Sequence, residues 1–219
     1  YQRWAPFLTN HDQVRVMTEL DDDPAKAKLA ALALLTLPGL PFLYYGEEIG
    51  IVGVKPDENL RTPMQWSDAA NAGFSSGGAW RAPQPDYVTK NVAAQDGDPD
   101  SLLNAYRALV RLHVATPALA TGDFVPLASD NSAVGAFLRL AGDEALLVLI
   151  NFDARPAENP LLSLEASPLA PGSYALEPLY GAPEAALAPL EIGAGGATAG
   201  YTPLPAIPPQ TGYILRLAP

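Results

Sequence analysis

Apolar and polar positions fall into blocks in the first half of the chain and into short, turn-bounded runs in the second. Trp4-Ala5-Pro6-Phe7-Leu8 is an unbroken apolar run, the pattern of a parallel strand covered on both faces. It gives way to Thr9-Asn10-His11-Asp12, where a strand would leave the core and carry reactive groups to the rim of an α/β fold. A plain turn, with Asn and Asp bonding their own backbone, produces the same pattern. Asp21-Asp22-Asp23-Pro24 reads as a helix start, with an Asp cap, Pro in the first turn and negative charge at the positive end of the dipole. The helix runs from Ala25 to about Thr36 and stops at Pro38-Gly39. Its Ala and Leu occupy nearly every face, which predicts burial on most sides. Pro41-Phe42-Leu43-Tyr44-Tyr45 predicts a second short strand, opening at Gly46 into Glu47-Glu48. Strand, helix and strand with tight connections make a βα unit.

From Ile51 to about Gly97 the pattern is irregular, and so long an excursion within a compact domain predicts a binding loop or lid. A second helix is expected from Asp98-Pro99-Asp100-Ser101 to Pro117. Leu102, Leu103, Tyr106, Leu109, Val110 and His113 form its apolar stripe, and Arg107 and Arg111 its wet face. Beyond Gly122 the runs Phe124–Leu127, Val134–Leu140, Ala145–Phe152, Gly172–Tyr180 and Gly212–Leu217 predict strands separated by turn clusters. Strands without intervening helices indicate an antiparallel sandwich. The expected organisation is an α/β domain over residues 1–119 and an all-β domain over 120–219. Gly193-Ala194-Gly195-Gly196 lacks the preceding strand, following helix and Lys of a phosphate cradle, and is read as a loop.

Composition narrows the function. With 24 acidic against 13 basic residues the net charge is −11, which disfavours nucleic acid and anionic membrane surfaces as partners. A neutral partner such as a sugar fits better. There are no cysteines, so disulfides and thiolate metal sites are excluded. The longest apolar stretch, Leu29–Leu37, is too short to span a bilayer. No signal-peptide or Asn-x-Ser/Thr pattern occurs, and location stays open. The chain lacks an initiating Met and opens almost within a strand, so it is expected to be a piece of a longer protein.

Three motifs then follow in order. They are Phe7-Leu8-Thr9-Asn10-His11-Asp12-Gln13-Val14-Arg15, Leu37-Pro38-Gly39-Leu40-Pro41-Phe42-Leu43-Tyr44-Tyr45-Gly46-Glu47-Glu48-Ile49-Gly50, and Arg61-Thr62-Pro63-Met64-Gln65-Trp66-Ser67 with Asn71-Ala72-Gly73-Phe74 behind it. Together they resemble the C-terminal part of the α-amylase superfamily, glycoside hydrolase family 13. Within it, the chain is most similar to the branch of α-glucosidases, oligo-1,6-glucosidases and trehalose synthases. The motifs cover about residues 1–120, and the rest matches in position and texture. The resemblance implies strands seven and eight of a (β/α)8 barrel with their helices, followed by a C-terminal antiparallel β-sandwich.

It also implies a chemistry. Retaining glycosidases set a nucleophilic carboxylate and a general acid/base around an oxocarbenium-like transition state. The family adds a third carboxylate, and the match puts it at Asp12. There it would bind hydroxyls of the reacting ring and favour its distorted form. His11 is implied as a second ligand of that ring, with packing under the loop as the alternative. Arg61 is implied on the aglycone side, its fork directed at sugar hydroxyls or a carboxylate; an ion pair holding the long loop is the competing reading. Glu47 could line the rim or cap the loop, and Arg15 is expected to pair locally, for instance with Glu19. Trp66, Phe74 and Trp80 could stack on sugar rings or anchor their loop. Asp96, Asp98 and Asp100 resemble an EF-hand start, but Ser101 and Arg107 stand where Gly and Glu are needed; no metal and no cofactor is implied.

The family's nucleophile and acid/base lie on earlier strands, and no strand-end Asp or Glu here replaces them. The expectation is therefore a glycoside hydrolase of α-glucosidic bonds as the parent, with the isolated piece inactive. Strands cut from a barrel expose edges and apolar faces. Such a piece is expected to associate with the N-terminal barrel portion or with itself. A trehalose synthase-type isomerase and a non-catalytic sugar-binding or structural β-module remain the alternatives.

Overall fold

A computed structural model describes residues 4–219, so the first three residues of the domain expected over 1–119 lie outside the described residues. The chain forms two compact units. Among the described residues, one contains 4–34 and Leu40–Arg111; the other contains Leu35–Gly39 and Leu112–Pro219.

In the first unit the helix Pro24–Thr36 starts where the sequence predicts. Asp23 Oδ1 accepts from the backbone N–H of Ala25 at 2.8 Å, satisfying a donor the helix cannot. Ala27, Leu29, Ala31, Leu32 and Leu34 are buried, as its lack of a polar stripe requires. Trp4–Leu8 and Pro41–Tyr45 run side by side but form a single parallel bridge, Phe7 to Phe42. Leu40 N–H donates to Trp4 O at 2.8 Å and Phe42 N–H to Pro6 O at 2.9 Å. The full ladders expected are absent because Pro6 and Pro41 carry no N–H to continue them. Their apolar side chains stay open: Trp4 is 63% exposed, Phe42 55% and Phe7 46%.

The excursion from Ile51 to Gly97 is irregular, as expected, with only short helical turns such as Asp57–Leu60 and Val92–Asp96. Buried polar side chains pin it. The side-chain amide of Gln65, fully buried, donates to Lys90 O, and the Gln65 backbone carbonyl accepts from Val92 N–H at 2.9 Å. Asn91 Oδ1 caps the next turn through Ala94 N–H at 2.8 Å. The second long helix is Leu102–Ala115, with Ser101 as its cap: Ser101 Oγ accepts from Asn104 N–H at 3.1 Å.

The second unit is β-rich. Among the described residues it has ten strands: β1 Asp123–Ser129, β2 Val134–Ala141, β3 Glu144–Asn151, β4 Ala157–Glu158, β5 Leu162–Leu164, β6 Gly172–Tyr180, β7 Leu190–Ile192, β8 Thr198–Tyr201, β9 Ala206–Ile207 and β10 Thr211–Ala218. Eight form one sheet in the order β7-β6-β10-β3-β2-β1-β5-β8, and β4 pairs with β9 apart from it. Every ladder is antiparallel. The sheet curls until its end strands meet, with Tyr201 Oη donating to Ala188 O at 2.8 Å beside β7. The sandwich predicted from the strand pattern is thus one nearly closed sheet wrapped around its own core. Leu138, Leu147, Leu149, Leu190, Ile207 and Leu215 lie in that core. Central β3 is buried on both faces from Ala145 to Asn151, which explains its unbroken apolar run.

One buried cation ties this unit together. Arg139 on β2 donates to Thr36 O at 2.6 Å, Leu119 O at 2.9 Å and Gly122 O at 3.1 Å. Thr36 and Leu119 lie in the last turns of their helices, whose carbonyls have no helical partner.

Candidate active site

The Asn10–Gln13 loop is a tight turn. Asn10 Oδ1 accepts from Asp12 N–H at 2.9 Å, and Asn10 O from Gln13 N–H at 3.3 Å. The turn reading and the rim reading are therefore compatible: the turn pushes His11 and Asp12 outward, with side chains 62% and 60% exposed.

Arg61 meets them from the long excursion. Its Nη2 donates to Asp12 Oδ1 at 2.8 Å and to Asp57 Oδ2 at 2.9 Å, and its Nε donates to His11 O at 3.1 Å. His11 Nε2 lies 3.2 Å from Asp12 Oδ2. All three residues singled out from sequence, Asp12, His11 and Arg61, converge on one solvent-facing cluster, although Arg61 is 49 positions from Asp12. Asp57 is a member that the sequence reading missed; its i, i+4 spacing to Arg61 across one short turn was the available signal. Lys55 bonds Asp57 and holds its carboxyl below the usual carboxylate range. The cluster thus links two carboxylates through one guanidinium, with the imidazole beside Asp12. Such a surface offers paired donors and acceptors to a neutral polyol.

One sequence expectation needs correction. Arg15 does not pair with Glu19. It is fully buried, its Nη1 donates to Tyr45 O, and its guanidinium carbon sits 4.0 Å from the Tyr44 ring centroid and 4.7 Å from that of Tyr45. Two aromatic faces replace a carboxylate as its environment. Burial pushes the Tyr44 hydroxyl up to about 12. Of the two readings open for Glu47, the structural carboxylate is the one that fits, and it does not line the rim. It is 2% exposed, and Thr9 Oγ1 donates to its Oε1 at 2.6 Å. Burial pushes its carboxyl up, against the pull of the Thr9 hydrogen bond.

Trp66, Phe74 and Trp80 are each at least half exposed and, with Arg61 and Glu48, line a cavity of about 440 Å³. Among the described residues no group of three or more His, Cys, Asp or Glu could hold a metal ion.

Comparison with known proteins gives the site a context. Residues 2–122 match the family described as alpha amylase, catalytic domain. Alpha-amylase 3 of Dictyoglomus thermophilum is 36% identical over 151 residues, 68% of this chain and 30% of that protein. The trehalose synthase/amylase TreS of Mycobacterium tuberculosis is 38% identical over 189 residues, 67% of this chain and 31% of that protein. The solved trehalulose synthase MutB of Pseudomonas mesoacidophila MX-45 superposes with a TM-score of 0.73 at 28% identity, covering 98% of this chain and 43% of that one. The chain thus spans about a third of the length of the curated relatives it matches. The family match lies over the three motifs and the Asp12 cluster, and the chain belongs to the α-amylase family, glycoside hydrolase family 13.

Proposed function

We propose that this chain is the C-terminal part of a retaining glycoside hydrolase that cleaves α-glucosidic bonds in starch-like oligo- or polysaccharides. In this reading Asp12 is the third carboxylate, which favours the distorted transition-state ring. His11 and Arg61 bind the same saccharide. The observation that carries it is the convergence of Arg61 and His11 on Asp12 at the exposed turn. Hydrogen bonds from such groups strengthen as positive charge grows on the ring, and so accelerate the reaction beyond mere binding.

The nucleophile and acid/base belong, on this proposal, to preceding segments of the full-length protein. Residues 1–119 are then the end of its catalytic barrel, and 120–219 a C-terminal β domain. Assay of the chain alone and of the full-length protein against maltose and p-nitrophenyl α-glucoside tests it. Turnover is expected in the full-length protein only. Turnover by the pure chain, or none by the full-length protein, would contradict it.

A second reading, glucosyl isomerisation or transfer, is favoured by the likeness to TreS and to trehalulose synthase. The same carboxylates would serve, with water excluded. Product analysis separates the two: hydrolysis releases glucose, and isomerisation converts one disaccharide into another.

A further inference from the structure

The His11–Asp12 turn is exposed, yet the residues flanking it are anchored to one short segment, Tyr44–Glu47. Before the turn, Thr9 is 6% exposed and donates to buried Glu47 Oε1 at 2.6 Å. After it, Arg15 donates to Tyr45 O, stacks on both tyrosines, and gives its own N–H to Gly53 O at 3.0 Å. Arg15 is a long side chain with several contacts, so losing one leaves others. The Thr9–Glu47 contact centres on one carboxyl: among the described residues the Thr9 hydroxyl is its side-chain donor, joined there by the backbone N–H groups of Thr9 and Tyr44. Gly46 and Gly50 bracket the Glu47 turn in left-handed conformations, with φ of +86° and +75°. A Cβ on Gly46 would lie 2.5 Å from Ile51 Cδ1, so the turn carrying Glu47 has little freedom to shift. Thr9, in turn, is three residues from Asp12.

We infer that Glu47 is a positioning residue: through Thr9 it fixes the turn that aims Asp12 and His11 at the sugar ring. This rests on the function proposed above. Glu47 never touches the saccharide. A buried acceptor held by a rigid turn takes the Thr9 hydroxyl, and the exposed turn inherits that rigidity. Supporting contacts of this kind are worth about 10–100-fold when removed, and a 1 Å misplacement of a reacting group costs on the order of 100-fold. Ordinary burial would predict only a loss of stability. Positioning predicts a loss of rate that the hydroxyl alone restores.

The test uses the full-length protein with Thr9→Val, Thr9→Ser, Glu47→Ala and Glu47→Gln. Thr9→Val keeps shape and removes the hydroxyl donor while leaving the backbone one; Thr9→Ser keeps both, and Glu47→Gln keeps an acceptor. The expected result is a fall in kcat of about 10-fold or more in Thr9→Val and Glu47→Ala, with KM within about 2-fold. Thr9→Ser and Glu47→Gln are expected to stay within about 3-fold of wild type. Amide exchange of residues 10–13, which needs no activity, is expected to quicken in Thr9→Val and not in Thr9→Ser. Unchanged loop exchange and kcat in folded Thr9→Val would overturn the inference, as would failure of Thr9→Ser to restore them. A wild-type protein without turnover would instead sink the functional reading, while loop exchange would still report whether Glu47 holds the turn.

Discussion

Arg61 holds Asp12 by two routes at once: its Nη2 bonds the Asp12 carboxylate at 2.8 Å, and its Nε bonds the backbone carbonyl of the preceding residue, His11, at 3.1 Å. A residue from the long excursion thereby sets both the charge and the backbone of the turn at the strand end. The guanidinium also reaches Asp57, so the positive charge is shared between two carboxylates. The arrangement adds little to stability. The side chains are 38–60% exposed, and exposed ion pairs contribute at most about 1 kcal/mol.

The first prediction concerns that fork. Arg61→Lys keeps the charge and loses the planar geometry that spans carboxylate and carbonyl. Stability is expected to change by less than about 1 kcal/mol, while turnover by the full-length protein falls at least about 10-fold. Thermal unfolding alongside initial rates checks this. Equal rates for the two proteins would remove Arg61 from the site.

The second concerns Arg139, which bonds three backbone carbonyls from within the β-rich unit. Arg139→Met fills similar space and leaves those carbonyls without their donor. A loss of about 2–4 kcal/mol is expected, since buried acceptors stripped of a partner carry their desolvation cost. Denaturant unfolding would report it. A change below about 0.5 kcal/mol would show that the carbonyls find other donors.

The third follows from the titration of Glu47. Burial raises its carboxyl above the ordinary glutamate range, so folding favours the protonated form. Its contribution to stability is complete below the unfolded pKa of about 4.3 and is lost as pH rises through the higher folded value. Glu47→Gln lacks this titration. The stability of the variant relative to wild type is therefore expected to improve as pH climbs from about 4 to 7.5, as measured by thermal unfolding across that range. A difference that stays constant with pH would contradict the assignment.

Local signals in the sequence located elements well wherever they were self-contained. The Asp23-Pro24 start put the first long helix in place. Strand β6 ran from Gly172 to Tyr180 as expected because Pro171 and Gly181 fence it. Strands β4, β5, β7, β8 and β9 went unseen. They are two to four residues long and exist through distant pairing partners, as Ala157 does with Ile207. In the site, Asn10-His11-Asp12 was legible because the motif is contiguous, and Arg61 through its own motif. Arg15 was misjudged because charged residues are ordinarily solvated. What surrounds it is the Tyr44–Tyr45 segment, with Tyr45 30 positions away, just as the Thr9 partner of Glu47 is 38 positions away.

Asp12→Asn in the full-length protein is the most direct test, because it removes the negative charge and leaves the shape. The account predicts a loss of about 100- to 1,000-fold in kcat on maltose and p-nitrophenyl α-glucoside, with an unfolding temperature close to wild type. Turnover within a few-fold of wild type in a correctly folded Asp12→Asn protein would contradict it.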